Sequence, residues 1–215
     1  FCIVGTVVDG HSFAQDAIDR GATSLVAERK VYLADATDVT EVVVADTRKA
    51  MAAASANFYD HPTKDFALVG ITGTNGKTTT TVLTSKMAAA SRSTVVAGNI
   101  GPSALMELDR HLQDNTLPDV WVLELSSFQL QTTTSLNCTA AAFLNLTEDH
   151  VDWHGSMAAY EAAKTKIFSD RTLRVLNRDD EACMRAFMPE NSVSFGDSAP
   201  EADGQWGIVS EEGVE

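Results

Sequence analysis

The chain has 215 residues, 44% apolar and 21% charged, with 30 acids against 16 bases and a formal charge of −14. That composition excludes a disordered tail and a fibrous or low-complexity protein. The acidic surplus argues against a nucleic-acid binder or a partner of anionic membrane surfaces. No stretch approaches the roughly 20 apolar residues of a membrane span, and no signal peptide is read. Cys2, Cys138 and Cys183 are too scattered for a disulfide framework or a zinc site, and they fit a reducing, cytoplasmic setting. The chain opens on Phe1-Cys2-Ile3-Val4, without an initiator Met and already in an apolar run, so it reads as a fragment.

In chain order, Asp16 to Gly21 reads as the end of a short helix, with Gly21 as the stop. Ser24–Ala27 and Glu41–Val44 are short apolar runs of strand type. Asp46 suits the N-cap of an Ala-rich helix in which Met51, Ala54, Ser55 and Phe58 share one face. His61-Pro62 ends that helix, and the domain boundary is expected at 60–65. From Phe66 the pattern becomes strand, turn and helix in repetition. Strands are expected at Phe66–Ile71, Thr94–Ala97, Val120–Leu125, Ala140–Leu146 and Leu173–Leu176, and helices at Thr78–Ala90, Ser103–Arg110 and Met157–Phe168. This alternation predicts an α/β fold, a mostly parallel sheet with helices on both faces. A smaller α/β unit over 1–65 precedes it. The acidic stretch Asp197–Glu215 holds only weak strand signals near Gln205–Val209.

Gly70-Ile-Thr-Gly73-Thr-Asn-Gly76-Lys77-Thr78-Thr79 follows a strand and opens a helix, the context of a phosphate loop. Glycines let backbone N–H groups curl around phosphate oxygens, and the helix N-terminus adds positive potential. Lys77 is placed to reach the β/γ-phosphates and the Thr78 hydroxyl to bind Mg²⁺. The strict G-x-x-x-x-G-K-S/T spacing fails at one position, where Ile71 replaces the first Gly, and Gly73 can supply the turn instead. The site therefore reads as nucleotide-binding over Gly73, Thr74, Asn75, Gly76, Lys77, Thr78 and Thr79.

Other polar motifs follow other strands. Glu124 ends the Val120–Leu125 run, where ATPases place an Mg²⁺-holding carboxylate. Asn99, in Ala97-Gly-Asn-Ile-Gly101, offers an amide to a ligand. His150, in Asn145-Leu-Thr-Glu-Asp-His150, suits a metal or a phosphate-bearing group. A zinc pair with His154 lacks a third soft ligand. Lys164 lies on one helical face with Tyr160, Ile167 and Phe168, so it is either a snorkelling lysine or a desolvated, chemically modifiable one. Lys77, Asn99, Glu124 and His150 all follow strand ends, the ligand edge of an open parallel sheet.

These residues resemble the Mur ligases, ATP-dependent amide-forming enzymes of peptidoglycan synthesis. Thr72-Gly-Thr-Asn-Gly-Lys-Thr78 resembles their nucleotide loop. Residues 95–196, through Glu124-Leu-Ser-Ser-Phe-Gln-Leu130, Asn145-Leu-Thr-Glu-Asp-His150, Tyr160-Glu-Ala-Ala-Lys164 and Asn177-Arg-Asp-Asp180, resemble the D-glutamate-adding branch. Residues 1–90, through Gly5-Thr-Val-Val-Asp-Gly-His-Ser-Phe13 and Asp46-Thr-Arg48, look more like the branch that adds a diamino acid or lysine, with a join between Thr81 and Ala97. The resemblance implies ATP and Mg²⁺ as cofactors, and a UDP-N-acetylmuramoyl substrate and an amino acid as partners. It makes Lys77, His150 and Lys164 catalytic, with one Mg²⁺ on Thr78 and Glu124. A second Mg²⁺ would sit on His150 and a carbamoylated Lys164. Asn99, Ser126 and Gln129 would contact the muramoyl substrate. The family's C-terminal amino-acid domain is not read in this chain, so little ligase turnover is expected of it alone. A folylpolyglutamate synthase, which shares the loop, and a nucleotide-binding unit without turnover are the rival readings.

Overall fold

The structure, a computed structural model, describes residues 1–5, 7–34, 38–60 and 65–209. The chain divides into two compact units, Phe1–Pro62 and Thr63–Glu215.

In the first unit a 3₁₀ turn, Gly10–Phe13, leads into α1 (Ala14–Asp19), and Gly21 follows at φ +99°. Strands β1 (Ser24–Ala27) and β2 (Thr40–Val43) pair in parallel. A small core of Cys2, Ala14, Leu25 and Ala27 lies between these elements. His11 is buried and bridges the unit: Glu28 N–H donates to its Nε2 at 2.9 Å, so Nδ1 carries the proton that meets Asp9 at 2.6 Å. Helix α2 (Thr47–Phe58) starts where expected, with Asp46 accepting the Lys49 N–H. Its expected apolar face does not become core: Met51 is 37% and Phe58 80% exposed. The first-turn Thr47 is buried instead, held by Glu28 through both its N–H and its hydroxyl at 2.9 Å. The helix stop expected at His61-Pro62 lies outside the described residues.

The second unit is built on a seven-stranded sheet in the order β4-β5-β3-β6-β7-β8-β9, every neighbouring pair parallel. Its strands are β3 (Ala67–Thr72), β4 (Thr94–Gly98), β5 (Val120–Glu124), β6 (Ala140–Phe143), β7 (Leu173–Asn177), β8 (Ser192–Phe195) and β9 (Gln205–Trp206). The helices are α3 (Lys77–Ala89), α4 (Ala104–Gln113), α5 (Ser127–Thr132), α6 (Val151–His154), α7 (Met157–Thr165) and α8 (Glu181–Met184). Every residue of β5 is buried, which explains its unbroken apolar run. Ile71, Val120, Val122 and Leu144 form the core on one side of the sheet. Phe143, Leu176, Cys183 and Ala186 form it on the other. Consecutive Phe143 and Leu144 thus serve opposite faces, as strand geometry requires.

The chain winds from β3 past β5 to β4, returns through β5, and crosses β3 to reach β6 and the strands beyond. The connection leaving β3 runs toward β4, and those leaving β5 and β6 run the other way. Loops leaving β3 and β6 therefore diverge to opposite faces and open a crevice at the carboxyl edge. Helix α3 covers β3, β4 and β5, while α7 packs on α5 and α6.

Two expected elements are shorter than their apolar runs. Strand β6 ends at Phe143 rather than Leu146, because the Leu144 carbonyl accepts from Asn177 at 3.0 Å and the Leu146 N–H donates to Asp180 at 2.7 Å. Helix α7 ends at Thr165 rather than Phe168, where the Ile167 and Phe168 N–H groups turn to the carbonyls three residues back.

Candidate functional site

The loop between β3 and α3 forms because its glycines adopt backbone that other residues avoid. Gly73 sits at φ +156° and Gly76, the residue that precedes α3, at φ +79°. Ile71 is 1% exposed and lies within β3, its carbonyl accepting the Leu125 N–H at 2.9 Å. The strand thus runs past the position where the usual motif starts its turn, and Gly73 makes the turn instead. The first N–H groups of α3, from Lys77 to Thr79, have no acceptor within their own helix, the feature that makes a helix N-terminus attractive to anions. The Lys77 ammonium folds back onto the carbonyls of Gly73 at 3.0 Å and Thr74 at 2.8 Å.

Sheet register brings the next residues together. Glu124 ends β5 and pairs with Ile71 of β3 on one side and Gly98 of β4 on the other. Its neighbours are therefore the residues that follow those strands. Its Oε2 accepts from the Thr78 hydroxyl at 2.8 Å, and its Oε1 from the Asn99 amide at 2.7 Å. A Cβ at Gly98 would stand 2.4 Å from the Glu124 carbonyl oxygen, so only Gly lets β4 pass this close. Glu124 is 2% exposed, and among the described residues it has no ion pair. A buried carboxylate held by neutral donors alone favours a cation beside it. With the adjoining Thr78 hydroxyl it offers hard oxygen donors, which suit Mg²⁺. Among the described residues no three His, Cys, Asp or Glu side chains form a metal cage. A cation on Thr78 and Glu124 must complete its shell with phosphate oxygens or water.

On the β6 side, His150 precedes α6 at φ +53°, an uncommon backbone for a side-chain-bearing residue. It is exposed, 3.4 Å from the Asp149 carboxylate, and its ring meets Phe128 at 4.7 Å. Lys164 is 1% exposed and does not snorkel. Its ammonium donates to the Gly73 carbonyl at 2.7 Å and lies 4.6 Å from the Tyr160 ring centre. Burial, and then the charge of Lys77, pull its pKa down to about 7. Two lysines thus converge on one carbonyl oxygen, and the buried one holds its proton less firmly. His150 and Lys164 both flank Tyr160, without touching each other. His154 meets the Ser127 hydroxyl at 3.0 Å, and burial lowers its pKa.

The three expected substrate contacts are engaged within the protein. Asn99 is bonded to Glu124, while Ser126 and Gln129 form the capping box that opens α5. Sequence reasoning assigned no part to Asn145, whose side chain bonds Thr74 and Asn75 of the loop. Its one signal was an Asn directly after an apolar strand.

Residues 71–214 match the profile of the Mur ligase middle domain, and residues 1–62 match that of the Mur ligase family, catalytic domain. The chain belongs to the Mur ligase family. It is 50% identical over 152 residues to a UDP-N-acetylmuramoylalanine–D-glutamate ligase of Paraburkholderia phymatum, a match covering 68% of this chain and 30% of the relative. The chain thus spans about a third of the length of such relatives. The match is longer than the run from Ala97 to Glu215, so likeness to the D-glutamate ligase continues N-terminal to the expected join. Among solved structures, a UDP-N-acetylmuramoyl-L-alanyl-D-glutamate–2,6-diaminopimelate ligase superposes with a TM-score of 0.70 at 22% identity, covering 91% of this chain and 45% of that one. MurF ligase from Thermotoga maritima, solved in complex with ADP, gives 0.57 at 24% identity, covering 91% and 46%. At these identities the likeness carries the Mur ligase fold: helices around a mostly parallel sheet.

Proposed function

We propose that this chain is the nucleotide-binding part of a cytoplasmic, ATP-dependent ligase of peptidoglycan precursor synthesis, of the D-glutamate-adding type. The observation that carries the reading is the joining of three strand ends by hydrogen bonds, β3 with its phosphate loop, β5 with Glu124 and β4 with Asn99, beside β6, which the segment holding His150 follows. The 50% identity to a named D-glutamate ligase supports the choice of branch. In the proposed reaction a carboxylate oxygen of a UDP-N-acetylmuramoyl substrate attacks the γ-phosphorus, and the bond to ADP breaks. An amino-acid amine then attacks the acyl carbon, phosphate leaves, the amine loses a proton, and an amide remains. The Phe1–Pro62 unit belongs to the part that holds the uridine end.

The chain's own residues divide the work. The N–H groups opening α3 and the Lys77 ammonium hold the phosphate oxygens and offset their charge. Lys77 leaves its two loop carbonyls to do so. Thr78 and Glu124 hold one Mg²⁺, which when bound neutralises phosphate charge. Asn99 orients Glu124, and with Ser126 and Gln129 it borders the muramoyl substrate. A second Mg²⁺ belongs to His150 and a carbamoylated Lys164. Carbamoylation joins the neutral amine to CO₂, releases one proton, and leaves an anionic oxygen donor in place of a cation. The buried position of Lys164 at the loop supports this, because a bare ammonium there repels both Lys77 and any nearby metal.

The test is titration of the wild-type chain and Lys77→Ala with Mg²⁺–ATP and Mg²⁺–ADP. Equal affinities in the two proteins would overturn the nucleotide assignment. A ¹³C-bicarbonate label should give a carbamate carbonyl resonance that Lys164→Ala abolishes; its absence with Mg²⁺ present would overturn carbamoylation.

A further inference from the structure

The motif Asn177-Arg-Asp-Asp180 has no part in the reading above, yet its contacts lead to the phosphate loop. Asn145 stands between the two. Its Oδ1 accepts the Thr74 N–H at 3.1 Å and the Asn75 N–H at 2.8 Å, and its Nδ2 donates to the Asn75 carbonyl at 3.1 Å. Its own carbonyl also accepts the Thr74 N–H at 3.0 Å. Thr74 and Thr147 add a reciprocal pair: the Thr147 N–H reaches the Thr74 hydroxyl at 3.0 Å, and that hydroxyl faces the Thr147 carbonyl at 3.2 Å. A Cβ on Gly73 would lie 3.0 Å from the Leu144 Cβ, so the loop rests directly on this segment.

The residues on either side of Asn145 are pinned from beyond. Asn177, the last residue of β7, donates to the Leu144 carbonyl at 3.0 Å. Asp180 accepts the Leu146 N–H at 2.7 Å with one oxygen and caps α8 through the Cys183 N–H at 3.0 Å with the other. The end of β7 thus fixes the backbone before and after Asn145, and Asn145 fixes the loop. A primary amide suits the position because it must accept and donate at once. Thr74 and Asn75 spend their N–H groups on Asn145, so phosphate oxygens are met by N–H groups further along, at the start of α3.

We propose that Asn145 is a positioning residue that holds the phosphate loop in its binding shape without nucleotide, and that Asn177 and Asp180 hold Asn145 in place. The proposal rests on the nucleotide reading for its functional half, but its structural half stands apart. A loop ordered beforehand loses less conformational freedom on binding, and this gain appears as affinity.

Two measurements separate the halves. The first is hydrogen exchange at the Asn75 amide in nucleotide-free protein, because Asn75, unlike Thr74, has no second acceptor in Asn145. The Leu125 amide, bonded to Ile71 in the sheet, reports overall stability. In Asn145→Ala, Asn75 exchange should rise about tenfold or more while Leu125 stays slow. The second is Mg²⁺–ADP affinity, which should fall about tenfold in the same variant. Asn145→Asp keeps the acceptors and adds charge, so Asn75 stays protected while Mg²⁺–ADP weakens. It also serves if the alanine variant fails to fold. Asn177→Ala should raise Asn75 exchange by a smaller factor. Unchanged Asn75 exchange in Asn145→Ala would overturn the proposal, as would lost protection with undiminished affinity. If the wild-type chain binds no Mg²⁺–ADP, the nucleotide reading falls, and Asn75 exchange still decides what Asn145 does.

Discussion

The two flanks of the phosphate loop solve opposite electrostatic problems. On the β5 side a buried carboxylate, Glu124, is held by the neutral hydroxyl of Thr78 and the neutral amide of Asn99. On the α7 side a buried amine, Lys164, is held by the Gly73 carbonyl with the Lys77 charge nearby. The first flank holds a carboxylate that, among the described residues, has no ion pair. The second has its cation partly suppressed. The pair places a carboxylate with neutral donors on one side of the loop and a lysine of weakened charge on the other.

The largest effect expected from breaking this arrangement belongs to Lys77, which serves both flanks. Lys77→Ala should weaken Mg²⁺–ATP binding by about a hundredfold, read by calorimetry, since it removes a charge-assisted contact to phosphate. It should also let the Lys164 pKa rise. Glu124→Gln isolates the β5 flank. Its amide oxygen can still accept from Thr78, but the charge is gone. The increase in nucleotide affinity that Mg²⁺ confers should shrink about tenfold, with affinity measured in EDTA little changed. The variant's amide nitrogen would face the Asn99 amide donor, so Asn99 must turn or lose its partner.

The α7 flank is sharpened by pH. In the folded protein Lys164 releases its proton near pH 7, against 10.5 for the ordinary side chain that the unfolded chain presents. Between those values the unfolded chain binds more protons, so stability rises with pH and is lost again as pH falls toward 7. One group contributes at most about 1.4 kcal/mol per pH unit. In metal-free, CO₂-free buffer, denaturant titrations from pH 7 to 10 should show a steeper rise for wild type than for Lys164→Met; parallel curves would remove the suppressed charge from the account. The smallest effect lies far from the site. Met51→Gln on the exposed face of α2 should change unfolding free energy by less than about 0.5 kcal/mol, despite the helical spacing of its neighbours.

That last case marks where periodicity stops being informative. The pattern Met51, Ala54, Ser55, Phe58 specifies a helix, but not what covers its face. The central strands and the helices α3, α4 and α7 were legible because each runs long enough to repeat its pattern. The helices α5, α6 and α8, of six, four and four residues, are too short to repeat one, and β8 is a four-residue alternation easily taken for loop. Apolar runs also overstated β6, where Asn177 at the end of β7 and Asp180 at the start of α8 take backbone groups that the sheet would have used, and α7, whose last N–H groups turn to carbonyls three residues back.

For the site, sequence alone determined the chemistry on offer: a strand–glycine loop–helix with Lys77 and Thr78, and an acid, an amide and a histidine after three further strands. These are local facts, set by which residues follow an apolar run. Tertiary structure decided who meets whom. Glu124 reaches both Thr78 and Asn99 only because β5 pairs between β4 and β3. Lys164 was placed on an apolar face by its spacing, but only packing at the loop buried its nitrogen on the Gly73 carbonyl and brought its pKa to about 7. Asn145 became a support for the loop only because β6 lies beside β3, 70 residues away along the chain from Asn75. Strand order and register act over such separations, and no local pattern of residues encodes them.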